Sequence, residues 1–143
     1  MGATHSHHCV YDTHYHLVFP VKYRKALLNQ RITSAVLEIA KEIEQRYEIA
    51  FERIGTDGNH IHILCSFHPQ YSASRVVGAF KSITARELFK RFPELRKDLW
   101  GGEFWTDGYY VSTVGTKGDW ATVERYVANQ GKTTSTNQLT LWH

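Results

Sequence analysis

Hydrophobic and polar residues alternate along residues 9–19 and 60–67, a pattern that predicts β-strands. Two further strands are predicted at residues 49–54 and 103–114, the last of which includes an initial turn. Residues 55–59 are dense in turn formers, so the second and third strands are predicted to form a hairpin.

In two further segments apolar residues recur every three or four positions, the spacing of an amphipathic helix. Residues 32–47 carry one apolar stripe, and residues 72–92 carry another that ends before Pro93. A last helix is predicted over residues 119–130, with Asp119 as its N-cap. This order of elements predicts an α+β fold, a ferredoxin-like (RRM-like) antiparallel sheet with two helices on one face and an added C-terminal helix. The other face is then open to a ligand or a partner.

Length and composition agree with one domain. The 143 residues are enough for a single core, and an aromatic content of 13% with 22% charged residues excludes a disordered chain. We expect one domain over residues 1–143, with a core at 9–131 and a polar tail at 132–143. No apolar run approaches the roughly 20 residues of a membrane helix, so a cytoplasmic protein is expected. Cys9 and Cys65 match no zinc or disulfide pattern and are expected to be reduced.

Two histidines stand two residues apart on the third predicted strand. His60 and His62 leave the same strand face about 6.5–7 Å apart, so both imidazoles can reach one cation. An ordinary pair of exposed histidines fits this spacing equally well. His14 and His16 form a second pair on the first strand, where they are expected to support the metal site or contact DNA. A four-histidine zinc site is the alternative.

Tyr126 and Gln130 are separated by one turn of the predicted last helix. Their side chains therefore share one face, roughly 6 Å apart along the axis. A tyrosine that packs against the core and keeps its hydroxyl in water is the ordinary alternative.

Four segments of the chain, in this order, resemble the HUH-type single-tyrosine transposases of the IS200/IS605 family of insertion sequences. They are residues 15–19 with the basic residues that follow, residues 58–64 with the His-hydrophobic-His motif, residues 110–115, and residues 126–130 with the tyrosine and glutamine. The resemblance extends over residues 9–131.

The resemblance implies a DNA transposase that cleaves and transfers single-stranded DNA at the ends of a mobile element. It implies that His60, His62 and Gln130 bind Mg²⁺ or Mn²⁺, and that Tyr126 forms a covalent 5′-phosphotyrosine. The implied partners are DNA hairpins and a second copy of the chain, whose tyrosine helix can act in trans. The enzyme is then expected in the cytoplasm, associated with the nucleoid.

Basic residues in two regions are predicted to contact DNA phosphates. They are Lys22, Arg24 and Lys25 after the first strand, and Lys81, Arg86 and Lys90 on the second helix. A solvated helix face is the alternative for the second group. Tyr23, Trp105 and Tyr109 are candidates for stacking on unpaired bases, although core packing would also explain them. The net charge of +3 permits a nucleic-acid partner without requiring one.

Two other functions fit parts of the pattern. An HUH endonuclease with a host or replication role would use the same residues for different biology. A non-catalytic ferredoxin-like module that binds nucleic acid would leave Tyr126 and Gln130 without a role. A structural zinc domain is disfavoured because the chain has few cysteines.

Overall fold

The computed structural model describes residues 3–5 and 9–114. The predicted last helix, with Tyr126 and Gln130, and the predicted polar tail lie outside these residues. None of the helices in the described part of the chain is long and apolar enough to cross a membrane.

Within the described residues the chain forms two α-helices and six strands. The helices are α1 (Gln30–Arg46) and α2 (Ala73–Arg91). The strands are β1 (Thr4–His5), β2 (Val10–Tyr11), β3 (His14–Pro20), β4 (Ile49–Thr56), β5 (His60–Phe67) and β6 (Tyr110–Val114). Short 3₁₀ segments at Lys22–Arg24 and Pro93–Lys97 follow β3 and α2.

Strands β3 to β6 form one antiparallel sheet in the order β4-β5-β3-β6. With α1 between β3 and β4 and α2 between β5 and β6, this is the ferredoxin-like arrangement that the sequence predicts. Its element order and its four-stranded antiparallel sheet with two helices are confirmed.

The hydrophobic core lies between the sheet and the two helices. Alternate residues of β5, including Ile61 and Ile63, enter the same buried cluster as Val36 of α1 and Phe80 of α2. The rings of Phe19 and Phe80 meet edge to face, with centroids 5.8 Å apart. Both helices therefore cover the same face of the sheet.

Polar side chains cap the starts of both helices. The Asn29 side chain accepts a hydrogen bond from the backbone N–H of Ile32, and the Ser72 hydroxyl accepts one from the N–H of Arg75. These caps satisfy first-turn donors that have no partner inside a helix. Helix α1 starts two residues before its predicted position, and α2 starts one residue after its own. The capping residues set these starts, which the apolar stripe alone does not specify.

The first predicted strand is wrong in one respect, because residues 9–19 form two strands rather than one. Val10–Tyr11 pairs with Thr4–His5 in a separate two-stranded ribbon, and His14–Pro20 joins the main sheet. Between them, the carboxylate of Asp12 binds the ring of His14, two residues further on. Asp side chains favour such local contacts, which compete with strand pairing. The alternation of apolar residues continues across Asp12, so it does not reveal that the strand is interrupted.

Candidate active site

The register of β3 and β5 places two pairs of histidines on the sheet face opposite to the helices. His60 lies across from Pro20, His62 from Val18, and Leu64 from His16. In an antiparallel sheet such partners point to the same side. We call this surface the histidine face; its members are His14, His16, Val18, His60, His62, Leu64 and Ser66.

The histidine face is less exposed than a bare sheet surface would be. The exposed fractions are 1% for His14, 0% for His16 and 6% for His60, while His62 is half-buried. Three of the four histidines on this face are therefore buried, and His62 is the most accessible of the four.

The ring of His60 is oriented by its neighbour. Nδ1 lies 2.9 Å from Oδ1 of Asn59, and an amide oxygen can only accept, so Nδ1 carries the proton and donates. Nε2 then presents its lone pair. Within the described residues this buried nitrogen has no hydrogen-bond partner, and the Asp57 carboxylate lies 3.8 Å away. A buried imidazole nitrogen with a fixed lone pair and a nearby carboxylate suits a divalent cation.

Burial lowers the pKa of His60, and the positive charge of Arg24 lowers it further, while the Asp57 carboxylate opposes both effects. A neutral imidazole is the form that binds a metal ion. The environment therefore keeps His60 in its ligand form near neutral pH.

The second histidine of the pair lies directly over a glycine. His62 pairs with Gly55 of β4, and a Cβ atom at Gly55 would lie 2.5 Å from Cε1 of His62 and closer still to Nε2. Carbon atoms in contact are normally about 3.5–4.0 Å apart. The absence of a side chain at residue 55 thus makes the space that the His62 ring occupies.

His16 lies beside His62, with ring centroids 6.1 Å apart. Burial lowers the pKa of His16 to about 4, and the neighbouring His62 lowers it too. His16 is therefore neutral at pH 7 and packs behind the metal-ligand candidate. Because it is fully buried, a direct contact between His16 and DNA is excluded.

His14 takes part in a different arrangement. Its Nδ1 lies 2.6 Å from a carboxylate oxygen of Glu52, and its Nε2 lies 2.7 Å from one of Asp12. Both ring nitrogens of His14 are therefore engaged by carboxylates. Among the described residues, no three His, Cys, Asp or Glu side chains converge as a metal site. The four-histidine zinc site is therefore wrong, and the buried ring of His14 is not available for a DNA contact.

The bulge in β4 explains how Glu52 reaches His14. Phe51 pairs with Cys65 and Arg53 pairs with Leu64, which leaves Glu52 as an extra residue without a cross-strand partner. Such bulges redirect one side chain. Neither this bulge nor the hydrogen-bonded triad of Asp12, His14 and Glu52 is visible in the sequence pattern.

The third predicted metal ligand, Gln130, and the predicted nucleophile, Tyr126, lie outside the described residues. Within residues 3–5 and 9–114, no three His, Cys, Asp or Glu side chains converge as a metal site. Of the predicted ligand set, the described part of the chain contributes His60 and His62. Sequence reasoning missed Asp57, whose carboxylate lies 3.8 Å from Nε2 of His60. The position of Asp57 in the turn, three residues before His60, is the feature of the sequence that could have identified it.

The basic segment after β3 lies next to His60. The backbone N–H of Val21 donates to the carbonyl of Asn59, and Arg24 is close enough to affect the pKa of His60. Lys22 donates to Glu103 at 2.8 Å, and this hydrogen bond raises its pKa. Lys25 is exposed. Charge is thus concentrated at one edge of the histidine face.

The basic residues of α2 have other surroundings. Arg86 and Lys90 are exposed on the helical side of the sheet, opposite to the histidine face. The ammonium of Lys81 donates to the carbonyls of Thr106 at 2.6 Å, Asp107 at 3.2 Å and Gly108 at 2.9 Å. An ammonium has three N–H donors, so none is left for a phosphate. Lys81 instead fixes the loop that leads into β6.

The aromatic candidates for base stacking differ in how exposed their side chains are. Trp105 is 4% exposed and donates from Nε1 to the hydroxyl of Thr84, so of its two interpretations core packing is the correct one. Tyr109 is half-buried and lies near Lys81. Tyr23 is 53% exposed, and Trp100, which sequence reasoning missed, is 79% exposed.

A ferredoxin-like sheet with a His-hydrophobic-His strand, whose imidazoles share one face, is the architecture of the HUH nuclease class. A family model described as "Transposase IS200 like" matches residues 9–130. The ISDra2 transposase TnpA of Deinococcus radiodurans is 31% identical over 121 residues, which are 85% of this chain and 86% of that relative. The IS200 transposase of Salmonella typhimurium is 29% identical over 123 residues, which are 86% of this chain and 80% of that relative.

The fold comparison agrees. A crystal structure of a candidate transposase from Deinococcus radiodurans R1 superposes with a TM-score of 0.72 and 28% identity, covering 89% of this chain and 97% of that one. The chain belongs to the IS200-like transposases. The enzyme class predicted from the sequence, a DNA transposase with a single catalytic tyrosine, is confirmed at the level of the family.

Proposed function

We propose that this transposase cleaves single-stranded DNA at the ends of its insertion sequence and stores the bond energy in a 5′-phosphotyrosine at Tyr126. The observation that carries the proposal is the His60–His62 pair, in which an oriented, neutral imidazole presents a buried lone pair beside a carboxylate. A module that only binds DNA has no use for such a group.

A divalent cation, Mg²⁺ or Mn²⁺, fits these residues. His60, His62 and Gln130 would hold it, and the Asp57 carboxylate, 3.8 Å from Nε2 of His60, adds negative charge beside the site. When bound, the cation withdraws electron density from the scissile phosphate. Asn59 and Gly55 are the supporting residues, since one fixes the tautomer of His60 and the other leaves room for the ring of His62.

The covalent step conserves the phosphodiester bond. The phenol of Tyr126 loses its proton and its oxygen attacks phosphorus. The bond to the 3′ oxygen breaks, and that oxygen takes up a proton to become a free 3′ hydroxyl. A second 3′ hydroxyl can then attack the phosphotyrosine and release the phenol, so strands are rejoined without ATP.

DNA binding is assigned first to Lys22, Arg24 and Lys25, because they lie at the edge of the histidine face. Arg86 and Lys90 are proposed for longer-range contacts on the helical side, and Lys81 for holding the loop at 106–108. The family resemblance extends the proposal to hairpin substrates, a homodimer with the tyrosine helix acting in trans, and action on DNA in the cytoplasm at the nucleoid.

Metal dependence and binding can be tested separately with His62→Ala. The variant and the wild-type enzyme are incubated with Mg²⁺ and a single-stranded oligonucleotide from the element end that is labelled at its 3′ end. We expect the variant to lose the denaturation-resistant protein–DNA adduct while it retains hairpin binding within a few-fold. Leu37→Ala, an exposed position on α1, serves as the control. Adduct formation by His62→Ala at the wild-type rate would overturn the metal-site assignment.

A further inference from the structure

Two exposed aromatic rings lie side by side beside the proposed active site. Tyr23 and Trp100 have ring centroids 6.2 Å apart and planes inclined by 21°, the geometry of an offset stack. Trp100 is 79% exposed and Tyr23 is 53% exposed. Large aromatic side chains are normally buried for most of their area, and paired exposed ones commonly mark a contact surface.

The backbone that presents Tyr23 is strained. Tyr23 and Arg24 both have positive φ angles, 59° and 53°, a left-handed conformation that non-glycine residues rarely adopt and that two consecutive bulky residues adopt still more rarely. The turn is held on one side by the N–H of Arg24, which donates to Val21, and on the other by the N–H of Lys22, which donates to Phe104. Strain that the surrounding structure maintains in this way is frequent at functional sites.

The strained turn also connects the rings to the histidine face. Val21, two residues before Tyr23, is hydrogen-bonded to Asn59, the residue that orients His60. Arg24, one residue after Tyr23, lies within electrostatic range of His60. The hydroxyl of Tyr23 lies near Gly101, next to Trp100, and a Cβ there would be 3.8 Å from it. The aromatic pair thus lies at the same end of the sheet as His60.

Three basic residues lie along the turn that carries Tyr23. The Nζ atom of Lys22, which also pairs with Glu103, is 5.7 Å from the centroid of the Tyr23 ring, and Arg24 and the exposed Lys25 follow directly. A ligand for this surface needs flat π faces together with negative charge. Single-stranded DNA offers both, because its bases are not stacked inside a duplex and its phosphates are close to each base. An apolar peptide segment would lack the negative charge.

We propose that Tyr23 and Trp100 form a stacking platform for one unpaired base close to the scissile phosphate. This inference rests on the proposed function and adds the group that positions the strand. Stacking on aromatic side chains tolerates any base, so the platform would fix the position of the strand rather than read its sequence. Loss of one ring is expected to weaken binding of single-stranded DNA about tenfold.

The platform can be tested by a cycle that combines Trp100→Ala with an abasic scan. Element-end oligonucleotides carrying one abasic site at successive positions around the cleavage point are titrated against wild-type enzyme and against Trp100→Ala. At one position, base removal should weaken wild-type binding about tenfold and have no further effect in the variant. Trp100→Phe should retain most of the affinity, and Leu37→Ala, another exposed apolar position, should behave as wild type.

The outcomes separate the two proposals. If the wild-type enzyme forms no covalent adduct with the unmodified oligonucleotide, the proposed function fails. If it forms the adduct but the effects of Trp100→Ala and of every abasic site simply add, the platform is wrong while the transposase mechanism stands. A variant with unchanged DNA binding but an altered monomer–dimer equilibrium in sedimentation would also overturn the platform, because the rings would then be a protein contact.

Discussion

Gly55→Ala should damage the metal site without damaging the fold. The added Cβ would lie 2.5 Å from Cε1 of His62, whereas ordinary carbon contacts begin near about 3.5 Å, so the imidazole has to retreat by about 1 Å. The φ angle of Gly55 is not in the left-handed region, so alanine fits the backbone of the strand. The perturbation therefore falls on the His62 ring.

The expected loss follows from this displacement. Metal–ligand distances hold to within about 0.2 Å, and a misplacement of 1 Å at a reacting centre can cost about 10²-fold in rate. We expect Gly55→Ala to slow adduct formation about 100-fold at low Mg²⁺ and to recover part of that loss at high Mg²⁺. Its free energy of unfolding should stay within about 1 kcal/mol of the wild type.

The assay is the initial rate of adduct formation as a function of Mg²⁺ concentration, with urea unfolding measured in parallel. Gly78→Ala is the matched control, because Gly78 is exposed in α2 and a Cβ there would meet nothing within 4 Å. The control should gain about 1 kcal/mol of helix stability and leave cleavage unchanged. A Gly55→Ala enzyme with the wild-type rate and metal dependence would refute the role assigned to His62.

Three further predictions concern the structure around the site. Glu52→Ala removes one of the two carboxylates that bind the buried ring of His14 and should cost about 2 kcal/mol in urea unfolding; a change below about 0.5 kcal/mol would contradict the assigned hydrogen bond. Lys81→Met should lower the free energy of unfolding by about 1–3 kcal/mol because three carbonyls lose their donor. Lys25→Met should leave stability unchanged and lower the slope of DNA affinity against salt concentration by about one, on a log–log scale. Equal effects of the two substitutions on DNA binding would contradict these roles. Burial raises the pKa of the Cys65 thiol, so thiol reagents should label the half-buried Cys9 in the native protein and reach Cys65 only on unfolding, and rapid native labelling of both would disprove this.

The parts of the fold that follow from local periodicity were predictable. The strict alternation of β5 gives its bounds, and it also places Ile61 in the core and His60 and His62 on the other face. The apolar stripes of α1 and α2 similarly give both helices to within two residues.

The features that depend on contacts between distant segments were not predictable. Lys81 resembles a solvated helix lysine until the loop at 106–108, some 25 residues away, supplies three carbonyls. The sequence around Trp100 and Trp105 does not show which of the two tryptophans is buried. In the structure Trp105 forms an isolated β-bridge with Val21 and enters the core, whereas Trp100 is exposed. The contact between His14 and Glu52 likewise involves the β4 bulge at Glu52, which no pattern of apolar residues encodes.

The covalent intermediate is the most direct test of the proposed mechanism. The adduct formed with element-end DNA and Mg²⁺ is digested with protease and nuclease, and the peptide that carries the nucleotide is identified by mass spectrometry. Tyr47→Phe, a half-buried tyrosine at the end of α1, provides the control for Tyr126→Phe. The mechanism predicts a phosphodiester on Tyr126 in the wild type and in Tyr47→Phe, and no adduct in Tyr126→Phe. A nucleotide attached to any other residue, or an undiminished adduct in Tyr126→Phe, would contradict it.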